Sequence, residues 1–145
     1  MLMAMIAIAM SSCSRSNIYS HYESVSAEGW SCSDTIRFEL GPVLQGKVFG
    51  QKVNLRTTSA YPYTALSMIV HRQVLPKGEE RQDTISIVLC NDKGVPTGTG
   101  ITHRQNDIVL SPIKIETDEK LAVTIWHNMK QTSLPGISEI GLSMR

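Results

Sequence analysis

The sequence predicts an all-β fold, a single antiparallel β-sandwich of jelly-roll or immunoglobulin-like type with about eight strands, preceded by a lipoprotein signal peptide. Three observations carry that reading. Short apolar/polar alternations recur along the chain, marked turn residues separate them, and no segment keeps a 3.6-residue apolar period. A chain of 145 residues is long enough for one domain with its own core and too short for two.

The alternations can be followed in order. Ile36, Phe38 and Leu40 share a face, as do Phe49, Val53 and Leu55, with Gln51 between them. Leu66, Met68 and Val70 follow, then Ile85, Ile87 and Leu89. Ile108 and Leu110 lead into Ile113 and Ile115, and the phase breaks at Ser111-Pro112. A proline cannot donate to a ladder, so the break predicts a bulge or an edge position. Leu121, Val123 and Ile125 form another face, which His127 continues as a core or rim histidine, and Ile140, Leu142 and Met144 close the chain. Gly41-Pro42, Pro76-Lys77-Gly78, Asn91-Asp92-Lys93-Gly94 and Pro135-Gly136 read as turns.

The amino terminus is an address and not part of the fold. Residues 1–10, MLMAMIAIAM, carry no charge and match a signal-peptide apolar region in length, too short to cross a bilayer. Ser11, Ser12 and Cys13 complete a lipobox, in which small side chains admit the peptidase and the Cys13 thiol accepts diacylglycerol. The new amino terminus is then acylated, and several acyl chains hold far better than one. No Lys or Arg precedes Arg15, which places the expected start codon further upstream. The division is therefore residues 1–12 as signal peptide, 13–30 as lipidated cysteine, tether and first strand, and 31–145 as the sandwich. No acidic run follows Cys13, so the domain is expected in the cell envelope, lipid-anchored and facing the periplasm.

With Cys13 consumed by lipid, Cys32 and Cys90 remain. They form either a disulfide or two separate, partly buried thiols. A net charge of +1 gives no support to nucleic-acid binding, and 6% aromatic residues make a thin stacking platform. His21, His71, His103 and His127 show no metal-ligand spacing. Glu116, Asp118 and Glu119 could offer oxygens to calcium or form a solvated turn. Gly98-Thr99-Gly100 lacks the lysine and helix of a phosphate cradle. No nucleophile elbow and no carboxylate pair can be nominated, so no catalytic residue, metal or cofactor is expected beyond the lipid on Cys13. Tyr61-Pro62-Tyr63 is a rigid aromatic turn. It is the candidate interaction surface, or else Tyr61 and Tyr63 pack the sandwich corner while Pro62 fixes the turn; the loop from Gly94 to Arg104 is a second candidate contact region. Trp30 and Trp126 read as packing residues.

Several segments together resemble a known family. Ile18-Tyr19-Ser20-His21-Tyr22, Gly29-Trp30 and Asp34-Thr35-Ile36 come first. Asn54-Leu55-Arg56-Thr57-Thr58, Tyr61-Pro62-Tyr63, Asp83-Thr84 and Gly98-x-Gly100 follow. Ile125-Trp126-His127-Asn128-Met129, Leu134-Pro135-Gly136-Ile137 and Ile140-Gly141-Leu142 complete the series. In order and spacing this resembles the gliding motility lipoprotein GldH family of the Bacteroidota. The resemblance implies a non-enzymatic component of the gliding motility and type IX secretion machinery, with other envelope lipoproteins or apparatus proteins as partners. Cys32 and Cys90 lie outside the resemblance. The alternative function is a carbohydrate-binding sandwich of the envelope, which would need exposed aromatics or a calcium site.

Overall fold

A computed structural model describes residues 17–145. Cys13 and the signal peptide lie outside the described residues. Among the described residues ten strands form: β1 (Tyr19–Ser24), β2 (Trp30–Ser31), β3 (Ile36–Leu40), β4 (Lys47–Thr58), β5 (Ala65–Leu75), β6 (Glu80–Val88), β7 (His103–Ile115), β8 (Lys120–His127), β9 (Ser133–Leu134) and β10 (Ile137–Met144). The all-β expectation holds; the alternations mark seven of the eight long strands, and β1 is the eighth.

The strands make two four-stranded antiparallel sheets. One runs β1-β10-β4-β7 and the other β3-β8-β5-β6, while β2 and β9 form a small clasp. Among the long strands only β5 and β6 are joined as a hairpin within one sheet; β3 to β4, β4 to β5, β6 to β7, β7 to β8 and β8 to β10 all pass from one sheet to the other. This interleaving is the double Greek key of a jelly roll, which resolves the two sandwich types left open by the sequence.

The core lies between the sheets. Phe49, Val53 and Leu55 of β4 face Leu66, Met68 and Val70 of β5, and Ile140 and Leu142 face Val123 and Ile125, all buried. Each such side chain contributes roughly 1.5–3 kcal/mol by leaving water. The phase break at Ser111-Pro112 proves to be both things the sequence allowed. β7 is an edge strand, and its pairing with β4 slips where Phe49 meets Ile113 and Gln51 meets Leu110. Ser111-Pro112 is thus the extra step on the β7 side, with Pro112 exposed where no partner needs its missing N–H.

Among the buried polar residues, one carries a full charge. Arg72 of β5 continues the inward phase of Leu66, Met68 and Val70 and is fully buried. Its Nη1 donates to Gln51 Oε1 at 2.9 Å and to the Ser111 carbonyl at 2.6 Å. Its Nη2 donates to Asp83 Oδ2 at 2.6 Å and to Ser111 Oγ at 2.8 Å. One guanidinium therefore ties β4, β5, β6 and β7 together along the side where β6 and β7 are the sheet edges. Gln51, read from sequence as lying between the inward residues of β4, is itself buried because it serves this cation.

Candidate functional site

The pairing register fixes two opposite ends. Tyr19 pairs with Met144, and Met144 with Gln51. Lys47 pairs with Ile115, and Leu40 with Leu121. These positions share the end at which the chain enters from the amino terminus. At the other end, Thr58 pairs with His103, Thr57 with Ile137, and Ala65 with Val88. β4 spans the distance with 12 residues, about 36 Å at the usual strand rise.

The Tyr61–Tyr63 turn and the 94–104 loop, nominated separately from sequence, meet at the far end. They line one groove of about 390 Å³ with Thr57, Leu89 and Cys90. Its walls are built, not loose. Tyr61 Oη donates to the Ala65 carbonyl at 2.8 Å, and the Tyr61 and Tyr63 rings meet edge-to-face at 5.5 Å. Both tyrosines are half-buried against the core, and Pro62 between them is exposed. Burial, and then the neighbouring Tyr63, push the Tyr61 hydroxyl up to about 12, so it remains a neutral donor at any physiological pH. Gly136 backs the turn. It has φ +80°, its carbonyl accepts from Thr58 N at 2.8 Å, and an added Cβ would fall onto the Tyr61 backbone nitrogen.

The opposing wall is braced by side chain and backbone. Asn91 Oδ1 accepts from the Lys93 and Val95 amides, both at 2.9 Å, closing an Asx turn. Thr99 and Gln105 exchange backbone hydrogen bonds at 3.0 and 2.8 Å, tying the loop to β7. This wall holds Ile101 in the open, 94% exposed, with Val95 also exposed. A concave apolar and aromatic surface on a braced frame, rimmed by Arg104, is suited to holding a peptide or protein segment.

The other nominated residues take structural roles. Trp30 is fully buried, donates from Nε1 to the Asp34 carbonyl at 3.1 Å, and stacks edge-to-face on His127 at 5.2 Å. Trp126 is half-buried on the outer face of its sheet. Trp30 therefore offers no sugar a platform. His127 is buried as expected. Its Nε2 faces the Trp30 carbonyl at 3.1 Å and its Nδ1 accepts from the Met129 amide at 3.3 Å, which requires the neutral Nε2–H tautomer. Burial lowers its pKa, outweighing the carbonyl's opposing pull. His21 and His71 pair with Glu23 and Glu80 at 2.8 and 2.7 Å on the surface. In the 116–119 turn, Glu119 caps the Glu116 amide at 2.9 Å, and Glu116 pairs with Lys114 at 2.5 Å.

The bridge considered between Cys32 and Cys90 is not formed; both are free thiols. They are held by different neighbours. The Cys32 amide bonds to Thr132 beyond β2, and Cys90 bridges to Pro96 in the groove wall. Sequence reasoning missed Arg72, although the i, i+2 phase from Leu66 points at it. It also missed a polar belt across the outer face of the first sheet. There Tyr22 lies under Arg56 at 4.0 Å, Arg56 pairs with Glu139 at 2.6 Å, and Asn54 donates to Asp107 at 2.8 Å.

Fold and site together define a class: a small jelly-roll domain entered from its amino-terminal tether at one end and presenting a braced groove at the other. A family model described as GldH lipoprotein matches residues 17–144, and the chain belongs to that family. It is 28% identical to the gliding motility lipoprotein GldH of Flavobacterium johnsoniae, over 97% of this chain and 91% of that one. It is 26% identical to a GldH homolog of Christiangramia forsetii, over 92% of this chain and 86% of that one. By family, then, it is a gliding motility lipoprotein, anchored to a membrane of the cell envelope. Among solved structures, an Eiger TNF from S. frugiperda is similar at TM-score 0.35 with 12% identity, over 88% of this chain and 92% of that one. An infectious bursal disease virus chain is similar at TM-score 0.29 with 15% identity, over 99% of this chain and 37% of that one.

Proposed function

We propose that this protein is a non-enzymatic structural component of the gliding motility and type IX secretion machinery, anchored through Cys13 and facing the periplasm. Its task is to hold a partner protein at a fixed height above the membrane. The observation that supports this most directly is the polarity of the sandwich. The chain enters at one end, and the Tyr61 groove opens at the other, the length of β4 away. Lipid anchoring confines the domain to two dimensions and raises its effective concentration toward other envelope proteins. Ile101 and Val95 supply exposed apolar contact, with the half-buried tyrosines behind them.

The test is cross-linking of tagged protein in intact cells, followed by mass spectrometry of what is captured. Ile101→Asp is the informative variant, because a side chain 94% exposed can be replaced without touching the core. The variant is expected to reach the membrane in normal amounts and to lose capture of apparatus proteins. Tyr63→Ala is expected to weaken the same capture. Unchanged recovery of the same partners by both variants removes the groove from the interface.

A further inference from the structure

The end of the sandwich nearest the tether carries its own apolar surface, distinct from the Tyr61 groove. A second groove of about 370 Å³ opens there, lined by Ile18, Leu40, Pro42, Val43, Phe49 and Met144 among others. Leu44 stands beside it 93% exposed and Ile18 56% exposed. A leucine at a loop tip with almost no protein around it gains nothing from the fold. The large exposed apolar side chains thus divide between the two ends, Ile18, Leu44 and Val48 at one and Val88, Val95 and Ile101 at the other, with Val109 along an edge.

We infer that the Ile18–Leu44 face docks on the lipid bilayer, with Leu44 entering the boundary between headgroups and acyl chains. This rests on the reading of Cys13 as the lipid anchor. Chain length selects this occupant. Four residue steps separate Cys13 from Asn17, and extended chain covers at most about 14 Å in that distance. Because Ile18 lines the groove itself, an anchored domain keeps this face within about that distance of the membrane surface. Side chains projecting outward past the groove suit insertion into a boundary layer, as amphipathic surfaces do to a depth of about 5–10 Å.

The contact is apolar and not electrostatic. The acidic 116–119 turn is fastened to the same loop: Val43 N donates to the Glu119 carbonyl at 3.0 Å, and Gly46 N to Thr117 Oγ1 at 3.0 Å. Asp118 is exposed there, Lys114 is spent on Glu116, and Lys47 lies over the Phe49 ring at 5.0 Å. Such a mixture gives anionic lipid no net attraction, so docking should persist in high salt.

The test uses the full chain in its own envelope, with a photoreactive diazirine side chain at position 44 in one variant and at position 101 in another. Irradiation is expected to give phospholipid adducts at 44 and none at 101, before and after a high-salt wash. Protein adducts alone at 44, cross-links between two copies through 44, no adduct, or equal lipid labelling at both positions would each overturn the inference. The anchor is scored separately by metabolic labelling with an alkyne fatty acid, which is expected to mark the wild type and not Cys13→Ala. Labelled wild type with no lipid adduct at 44 defeats the docking face and leaves the anchor standing. Absence of label from the wild type, or equal label in Cys13→Ala, defeats the anchor, whereas lipid adducts at 44 would still support the docking face.

Discussion

At the scale of the residue, two buried polar groups set conditions on stability. His127 is neutral in the fold because its Nδ1 is committed to the Met129 amide and its surroundings are apolar. Its pKa is lowered below the ordinary 6.5. The unfolded chain therefore binds the extra proton first, and stability rises with pH until the unfolded value is passed. The stability owed to neutral His127 is complete above about 6.5 and is lost as pH falls through the lowered folded value. Thermal melts followed by circular dichroism should show a lower Tm at pH 5 than at pH 7.5. His127→Gln, which keeps a neutral donor near the Trp30 carbonyl, should flatten that part of the slope.

Arg72 sets the second condition. Its guanidinium is fully buried, while its partner Asp83 keeps a side chain 34% exposed. The two partners are therefore unequal. Arg72→Ala would orphan Gln51 and Ser111 and open a cavity, at a cost of about 3–5 kcal/mol in urea unfolding. Asp83→Asn keeps an acceptor at the same distance in a partly solvated place and should cost about 1 kcal/mol. Equal losses in the two variants would contradict this division of roles.

At the scale of the element, β7 decides how the sheet ends. A 13-residue edge strand presents a long row of unpaired backbone groups, a template for another chain. Pro112 interrupts that row at the bulge opposite Gly50. Pro112→Thr should restore a donor on the edge and raise self-association, measured by sedimentation velocity, with stability changed by no more than about 0.5 kcal/mol. A variant that stays monomeric at high concentration would show that Pro112 is not what guards the edge. The alternations that define the strands were legible because one face of each strand is buried against the other sheet, and a period of two follows directly. The hydrogen-bonded neighbours of each strand were not legible, because alternation marks a face and says nothing about what lies beside it.

At the scale of the whole molecule, position relative to the membrane is the property that matters. Cys13→Ala should fold with an unchanged circular dichroism spectrum and leave the membrane fraction, since the described residues 17–145 carry both sheets and the core between them. Fatty-acid label that is equal in Cys13→Ala and the wild type would remove the anchor. The amino-acid sequence by itself determined the all-β class, the inward faces, the turn residues and the family, because each is written in local composition or short spacing. Tertiary structure alone decided the jelly-roll order, the meeting of the Tyr61 turn with the 94–104 loop, the separate fates of Cys32 and Cys90, and the burial of Arg72. These depend on residues far apart in the chain: Tyr61 and Ile101 line one groove only because β4 and β7 pair through to Thr58 and His103. Register over that distance is set by the packing of two sheets and not by any short stretch of chain, so which loops and strand ends share each end of the sandwich could be read only once the sheets were assembled.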